Sequence, residues 1–527
     1  MRRPSVILAA FALQSASACF TDSPQLSTGG GEASTSDADT SGSDASGGTT
    51  TTPSTTADAS SSSSSGGETS GVAPTCGDGV VDPGEACDDG NQSDADACLS
   101  GCVAASCGDG FVWVGQEACD LGEGNDAKSQ GGCRLDCALP ACGDGAIYAG
   151  ALGPSIALGQ GKGISSVDLN HESPRAVAID GAGRAYVVTD WFNANLGTSR
   201  VVIERYDPDG SAVGGPIDAY SGPLSTSRPV IAAAPDGRFI VAWQVAQNSD
   251  DIRYSTFNAE GVGGPIFSAS ESTSGSQRDP AVAINAQGDA LIAFRASGGL
   301  DPGKWLIRTR RVPAAGLPPP DFVAGDSFVG DVTSPAIDLR DDGAFALAYS
   351  DDTGRINVRT YDGPGALTSA FEVDDGATSI NNSNPWVGVA ALSDTVVIAA
   401  TGADAQVHLF TFDGSGKLVT SQAASTEALG AFPRIDLVAD ASDNVLVAWA
   451  GCGPPGLDQN CKGDPASLYL RWFYADGEPF GPPLLAYNLV HWSVMGIGVA
   501  TNAIGDLALV AQDDNNPFLA FAPAACP

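Results

Sequence analysis

Four sets of residues in this chain have the types and spacing for chemistry. Asp88, Asp89, Asn91, Asp94 and Asp96 crowd one short loop, and oxygen ligands gathered in this way suit calcium. The competing reading is a run of Asx turns on a solvated acidic loop, each side chain bonding nearby backbone. Zinc is disfavoured, because the neighbouring Cys pairs are spaced C-x3-C with no His beside them. His171, His408 and His491 are the only three histidines, far apart and without an aligned Asp or Cys, so no histidine-based catalytic site is expected. Arg205, Arg253, Arg308, Arg310, Arg359 and Arg471 recur on one kind of segment. Three of them could clamp a carboxylate at an axis, but outward salt bridges between strands are the favoured reading. Trp243, Phe294, Tyr349 and Trp449 share one aligned position, where packing between sheets is commoner than sugar stacking.

No catalytic residue is assigned. Neither a G-x-S-x-G elbow, an H-E-x-x-H helix, a P-loop nor a dinucleotide fingerprint occurs. Ser350-Asp351-Asp352-Thr353-Gly354 resembles the Asp box of sialidases, but the aromatic end is missing and the word occurs once. That box is a structural turn in sialidases in any case.

Charge excludes some partners. The chain has 63 acidic and 25 basic residues, a net charge of -38. Such a surface repels nucleic-acid phosphates and anionic lipid heads. Two Met and three His leave few soft ligands, so no cofactor is expected apart from calcium on the loop above.

The elements that must position these groups are short strands. Pro229 to Ile266 holds four apolar runs of strand composition cut by turn residues, as at Pro235-Asp236-Gly237, which describes a four-stranded antiparallel sheet. The unit recurs from Pro174, Pro229, Pro280, Pro335, Pro385 and Pro433, with a seventh near Gly496 that lacks the Pro. Spacings of this size belong to propellers, not helical solenoids. Pro is placed at the first residue of each opening strand, where no ladder donor is lost. The strand after each turn, such as Ala344 to Tyr349 or Val445 to Trp449, is apolar throughout and is expected to be buried on both faces.

The last unit lacks an outer strand. Its missing word stands before the first unit, where Gly153-Pro154-Ser155-Ile156 matches Gly214-Gly-Pro-Ile217 and Gly481-Pro-Pro-Leu484. Residues near 153–158 are therefore expected to complete the seventh blade and remove an exposed edge. The fold class is all-β: a seven-bladed β-propeller over residues 146–527, closed by strands from both ends.

Nine of the thirteen Cys lie in the segment before the propeller. Cys76-Gly-Asp-Gly, Gly84-Glu-Ala-Cys87-Asp88-Asp89-Gly-Asn91, Cys98 and Cys102 form one unit. Cys107-Gly-Asp-Gly, Gln116-Glu-Ala-Cys119-Asp120, Cys133 and Cys137 form a second, and Cys142-Gly-Asp-Gly begins a third. These words resemble the Myxococcus cysteine-rich repeat of myxobacterial surface proteins, over about residues 76–145 of a cysteine-rich segment placed at 75–145. The second unit departs from the pattern at Leu121, where the first has Asp89. The resemblance implies an extracellular, disulfide-bonded structural module. The physics concurs, since a segment this poor in large apolar side chains needs disulfides, each contributing about 2–4 kcal/mol. Connectivity within the two units stays open. Of the remaining Cys, Cys452 and Cys461 bracket one loop and are expected to pair, which leaves Cys142 and Cys526 to bond where the ring closes.

Arg2 and Arg3, the apolar run Val6 to Leu13 and Ser15-Ala-Ser-Ala18 read as a signal peptide over residues 1–18. Cys19 directly after it resembles a bacterial lipobox, with Ala16 where Leu is usual. Removing Cys19 also leaves an even number for pairing. Residues 19–74 are Ser, Thr, Gly and Asp with almost nothing apolar, a disordered tether with a reach of roughly 40 Å.

The expected protein is a monomeric lipoprotein of the bacterial cell envelope, facing outward from the outer membrane, with secretion as the alternative. Its membrane contact is the lipid on Cys19 alone. Its propeller is expected to be a non-catalytic platform for a surface protein or glycan; the alternative is an exported hydrolase or lyase acting on glycans, because fold alone does not decide function.

Overall fold

Turn residues and apolar runs alternate so regularly that the backbone folds back on itself every few residues, and each four-run unit becomes a sheet. The computed structural model describes residues 76–126, 133–141, 150–158, 176–193, 196–246, 249–272, 275–297, 304–325, 328–329, 334–351, 353–374, 387–402, 404, 406–425, 434–451, 467–488, 494–513 and 516–524. Cys19, Cys142, Cys452, Cys461, Cys526, His171 and His491, with the two pairings expected for the last four Cys, lie outside these. So do the signal peptide, the tether and the blade-opening Pro174, Pro385 and Pro433.

The described strands form seven antiparallel sheets, the blades of a propeller. Blade 1 runs from Val177–Ile179 to Ile217–Gly222, blade 2 from Ser225–Ala233 to Phe267–Ser268, and blade 3 from Gln277–Ile284 to Phe322–Val323. Blade 3 adds a short strand, Phe328–Val329, against Lys304 and Trp305. Blade 4 runs from Ala336–Leu339 to Leu367–Glu372, blade 5 from Val387–Ala391 to Leu418–Ala423, and blade 6 from Arg434–Ala439 to Pro479–Asn488. Blade 7 has Val494–Thr501, Leu507–Asp513 and Asn516–Ala522, and its outer strand is Ile156–Ala157. Ile156 pairs with Leu519 and Ala157 with Phe518. Around them the Gly153 amide donates to the Phe521 carbonyl at 2.7 Å and the Leu158 amide to that of Pro517 at 2.9 Å. The ring is closed by strands from both ends of the chain, as the repeated Gly-Pro word predicts.

Seven apolar clusters hold the ring, one for each junction between adjacent blades. Second strands supply both faces, which is why Phe345–Ser350 is buried at every position. Trp243, Phe294, Tyr349 and Trp449 are all fully buried. Each packs against the blade before it, Trp243 on Val188 and Val201 of blade 1 and Trp449 on Val407 and Leu409 of blade 5. The aromatic column is packing. Closure adds Ile156 and Leu158 to the cluster between blades 7 and 1.

Two expectations need correction. Pro229 and Pro280 are not first residues of their strands, which begin at Ser225 and Gln277. Pairing shifts between Ser227 and Val230 and between Arg278 and Ala281, so each Pro sits in a β-bulge. A bulge leaves a residue unpaired, and the missing N–H costs nothing there. In blade 2 the outer strand is Phe267–Ser268, later than the Val262-to-Ile266 run; Gly263 makes only an isolated bridge to Phe257. Pro335 does directly precede its strand.

The cysteine-rich units repeat one geometry. Disulfides join Cys76–Cys102 and Cys87–Cys98, then Cys107–Cys137 and Cys119–Cys133, so each unit nests an inner bridge within an outer one. Cys102 and Cys137 both have positive φ. Their carbonyls accept the amides of Ala86 and Ala118 at 3.0 and 3.1 Å. Four disulfides fit an oxidising, extracellular or envelope compartment. Among the described residues no helix is long and apolar enough to cross a membrane.

Candidate functional site

The inner strands of all seven blades, with the turns that follow them, surround an axial cavity of about 560 Å³. Its polar lining includes Asp180, Asp338, Arg340, Asp341, Asp342, Asp440, Asp443, Asn285 and Asn502. Local chemistry explains their presence. Asp180 opens its turn by accepting the amides of Ala182 and Arg184 at 2.9 and 3.0 Å through Oδ1. Asn502 does the same for Ile504 and Asp506, and Asp440 for Ser442 and Asn444. These are Asx turns, for which Asp and Asn are suited.

The same turns tie blade to blade. The Gly181 amide donates to the Pro235 carbonyl, and Arg238 to the Gln287 carbonyl. Asp341 accepts the Ala286 amide at 2.8 Å, and Arg340 donates to the Ser393 carbonyl at 2.6 Å. Asp443 accepts the Ser393 amide, Asp436 accepts the Val499 amide at 2.9 Å, and Asn502 donates to the Asp180 carbonyl at 3.2 Å. At least one such bond crosses each of the seven junctions between adjacent blades. Asp338 reinforces the junction between blades 4 and 5 by accepting the Ala391 amide.

Electrostatics follows from these partners. Burial raises the pKa of Asp440, and its bonds from Asn444 and Ser442 only partly oppose this. Burial, then the charge of Asp180, raises the Tyr186 phenol far above its ordinary value, and it donates to Asp180 Oδ2 at 2.9 Å. The cavity is oxygen-rich and acidic, and each of its carboxylates already accepts a bond from the protein.

The other expected groups lie elsewhere. Asp88 accepts the amides of Gly77, Asp78, Gly79 and Gly90, and Asp120 those of Gly108, Asp109 and Gly122. Each therefore staples the Cys-Gly-Asp-Gly turn of its own unit. Asp89 accepts the Asn91 amide, Asp94 the Ser100 amide, and Asp96 the Asn91 side-chain amide at 3.1 Å. Among the described residues, potential ligand atoms gather in threes at Glu85, Asp88 and Cys102 and at Glu117, Asp120 and Cys137; both sulfurs belong to disulfides. The loop of Asp88, Asp89, Asn91, Asp94 and Asp96 thus has Asx-turn geometry.

None of the third-strand arginines lines the axial cavity. Arg253 pairs with Asp251 at 2.8 Å, Arg308 with Asp321, and Arg310 with Glu271 at 3.5 Å. Arg205 donates to the Ala259 carbonyl, Arg359 to the Tyr349 hydroxyl and Arg471 to the Ala424 carbonyl. Asp351 closes the turn after blade 4's second strand by accepting from Thr353 and Arg355. His408 does have a carboxylate, Asp404, 2.9 Å from its Nε2, four residues away on the same hairpin.

Sequence reasoning missed a second group, at the opposite end of the ring. Arg228 and Arg295 both ion-pair with the fully buried Asp279, and Arg278 bonds Asp250. Trp305 lies beneath Arg278 and Arg295. The available signal was the Pro after Arg228 and Asp279, which marks the bulges.

No family model matches the chain, and no curated protein does. Solved structures with a similar chain course include the BP39L lectin of Burkholderia pseudomallei, at 11% identity over 68% of this chain and 98% of that one, TM-score 0.48. The polysaccharide lyase Uly1 is similar at 9% identity over 73% and 98%, TM-score 0.41. The WD40 domain of Toxoplasma gondii coronin is similar at 11% identity over 72% and 88%, TM-score 0.40.

Proposed function

We propose that this protein is a non-catalytic binding platform of the bacterial cell envelope, held by lipid on Cys19 and displaying its propeller to a surface protein or glycan. Residues 19–74 act as the tether, and the cysteine-rich units, which resemble the Myxococcus repeat, act as a disulfide-bonded spacer. The observation that carries this reading is the axial rim. An acid–base catalyst needs a carboxylate or imidazole left available to substrate, whereas the carboxylates around this cavity, the buried Asp440 with its raised pKa among them, are engaged in Asx turns and junctions between blades. The remaining surface is a closed ring of seven sheets with loops at its edges, the kind of scaffold on which binding residues are mounted.

Two experiments test it. Cys19→Ala is expected to release the protein from the membrane fraction into the medium; retention in the membrane would refute the anchor. The full secreted chain is expected to bind a discrete ligand on a glycan array or in a cell-surface pulldown, without turnover. Steady cleavage of any polysaccharide in a reducing-end or unsaturated-product assay would replace this reading with the enzymatic one.

A further inference from the structure

Blade 3 leaves its third strand differently from blades 1, 2, 4, 5 and 6. In those five a tight turn follows the third strand, and the amides of Gly210, Gly261, Gly365, Gly416 and Gly477 each donate to the carbonyl three residues back. In blade 3 the third strand ends at Val312 and the outer strand begins at Phe322. Between them the chain reads Pro313-Ala-Ala-Gly-Leu-Pro-Pro-Pro320-Asp321, with the only three consecutive prolines of the sequence. Each proline ring fixes φ at about -65° and removes an N–H, and the residue before a proline is held in extended backbone. Leu317, Pro318 and Pro319 all precede a proline. They are thereby confined to one turn of polyproline II helix, whose backbone carbonyls face solvent.

Both ends of this stretch are clamped. The Ala314 amide donates to Asp289 Oδ1 at 2.8 Å. At the far end the buried Asp321 ion-pairs with Arg308 and accepts the Glu271 amide at 3.0 Å. Between the clamps Ala315, Gly316, Leu317, Pro319 and Pro320 are exposed. Leu317, at 89%, is the most exposed large apolar side chain among the described residues. Residues 312–320 carry no charge, on a chain of net charge -38. Shielding a sheet edge calls for proline within the outer strand, where blade 6 has Pro482 and Pro483; the run in blade 3 precedes its outer strand. A neutral segment, already extended and clamped at both ends, is what an aromatic-lined groove takes at little cost in ordering. We infer that Leu317–Pro320 docks in the groove of a partner protein, with the proline rings between aromatic walls and Leu317 in an adjoining apolar pocket. The inference rests on the binding-platform reading and makes the partner a protein rather than a glycan.

The test is surface plasmon resonance of the full secreted chain against a panel of purified SH3 and WW domains, which read this conformation. Saturable binding to at least one domain is expected, displaced by poly-L-proline and nearly insensitive to salt because the segment is uncharged. Replacing Pro318→Ala and Pro319→Ala together frees the backbone and should weaken binding about tenfold or more. Leu317→Asp should weaken it about as much. Leu317 is exposed, so Leu317→Asp should keep its melting curve and decides the matter if the double variant does not fold. Binding to no domain, equal binding by Leu317→Asp, or binding that collapses as salt rises would overturn the inference. Failure of every domain beside a positive glycan array would overturn it and leave the platform reading standing. Polysaccharide turnover with Leu317-dependent docking intact would support the inference and overturn the non-catalytic reading.

Discussion

Asn502, in the last blade, donates its side-chain amide to the backbone carbonyl of Asp180, in the first blade and 322 residues away. With it, at least one hydrogen bond crosses each of the seven junctions between blades. Asp341 and Asp443, two of the carboxylates that make the axial rim acidic, also bond a neighbouring blade.

Closure should depend on a few residues at the N-terminal edge. Leu158 is 2% exposed and packs between blades 7 and 1. Leu158→Ala is expected to cost about 2–5 kcal/mol in denaturant unfolding of the full chain. A loss near zero would mean that this strand does not close the fold.

Trp243 is a wedge, not a ligand platform. Trp243→Ala should destabilise by about 3–5 kcal/mol, while Trp243→Phe should cost less because most of the contact with Val188 and Val201 survives. Ligand affinity, measured under conditions where both variants are folded, should not change. A selective loss of sugar binding would reverse the packing assignment.

The cysteine-rich units should respond to acid. Desolvation pushes the Asp88 and Asp120 carboxyls upward, but the surrounding amide donors outweigh it, and both end below the ordinary aspartate value. A depressed pKa contributes stability that is present above the unfolded value of about 3.9 and lost as pH falls through the lower, folded one. Amide resonances of Gly77, Gly79 and Gly108 should therefore hold their positions from neutral pH to about 4 and shift below it. Asp88→Asn should abolish the transition for Gly77 and Gly79 alone. Amides that titrate together in that variant would show that the two staples are not independent.

Reduction should separate the two architectures. Each bridge of the nested pairs stabilises its small loop by about 2–4 kcal/mol, with few buried apolar side chains to replace it. A reductant is expected to release residues 76–137 to limited proteolysis while the propeller strands keep their circular dichroism. Cleavage at the propeller blades under the same conditions would contradict this.

Much of this architecture is written locally. Asp236-Gly237, the apolar run after it and the recurrence of both determine strand, turn and blade number, because strand burial and turn chemistry depend on neighbours a few residues away. The Gly-Pro word before Ile156 identifies the closing strand for the same reason. Cysteine spacing marks the two units, and the structure adds which sulfurs meet.

What only the tertiary structure decided are relationships between blades. Asp341, Asp443 and Asn502 lie in or beside turns after inner strands; that they also bond a neighbouring blade depends on a ring whose geometry no local window contains. Arg228, Asp279, Arg295 and Trp305 lie on four separate strands, and nothing in their spacing shows that the two arginines meet Asp279 or that Arg295 lies over Trp305. Turns and strands are set by short-range sterics and hydrogen bonding, which a sequence displays directly. Charges gathered from different blades are set by how the sheets pack, and that is settled only when the ring closes.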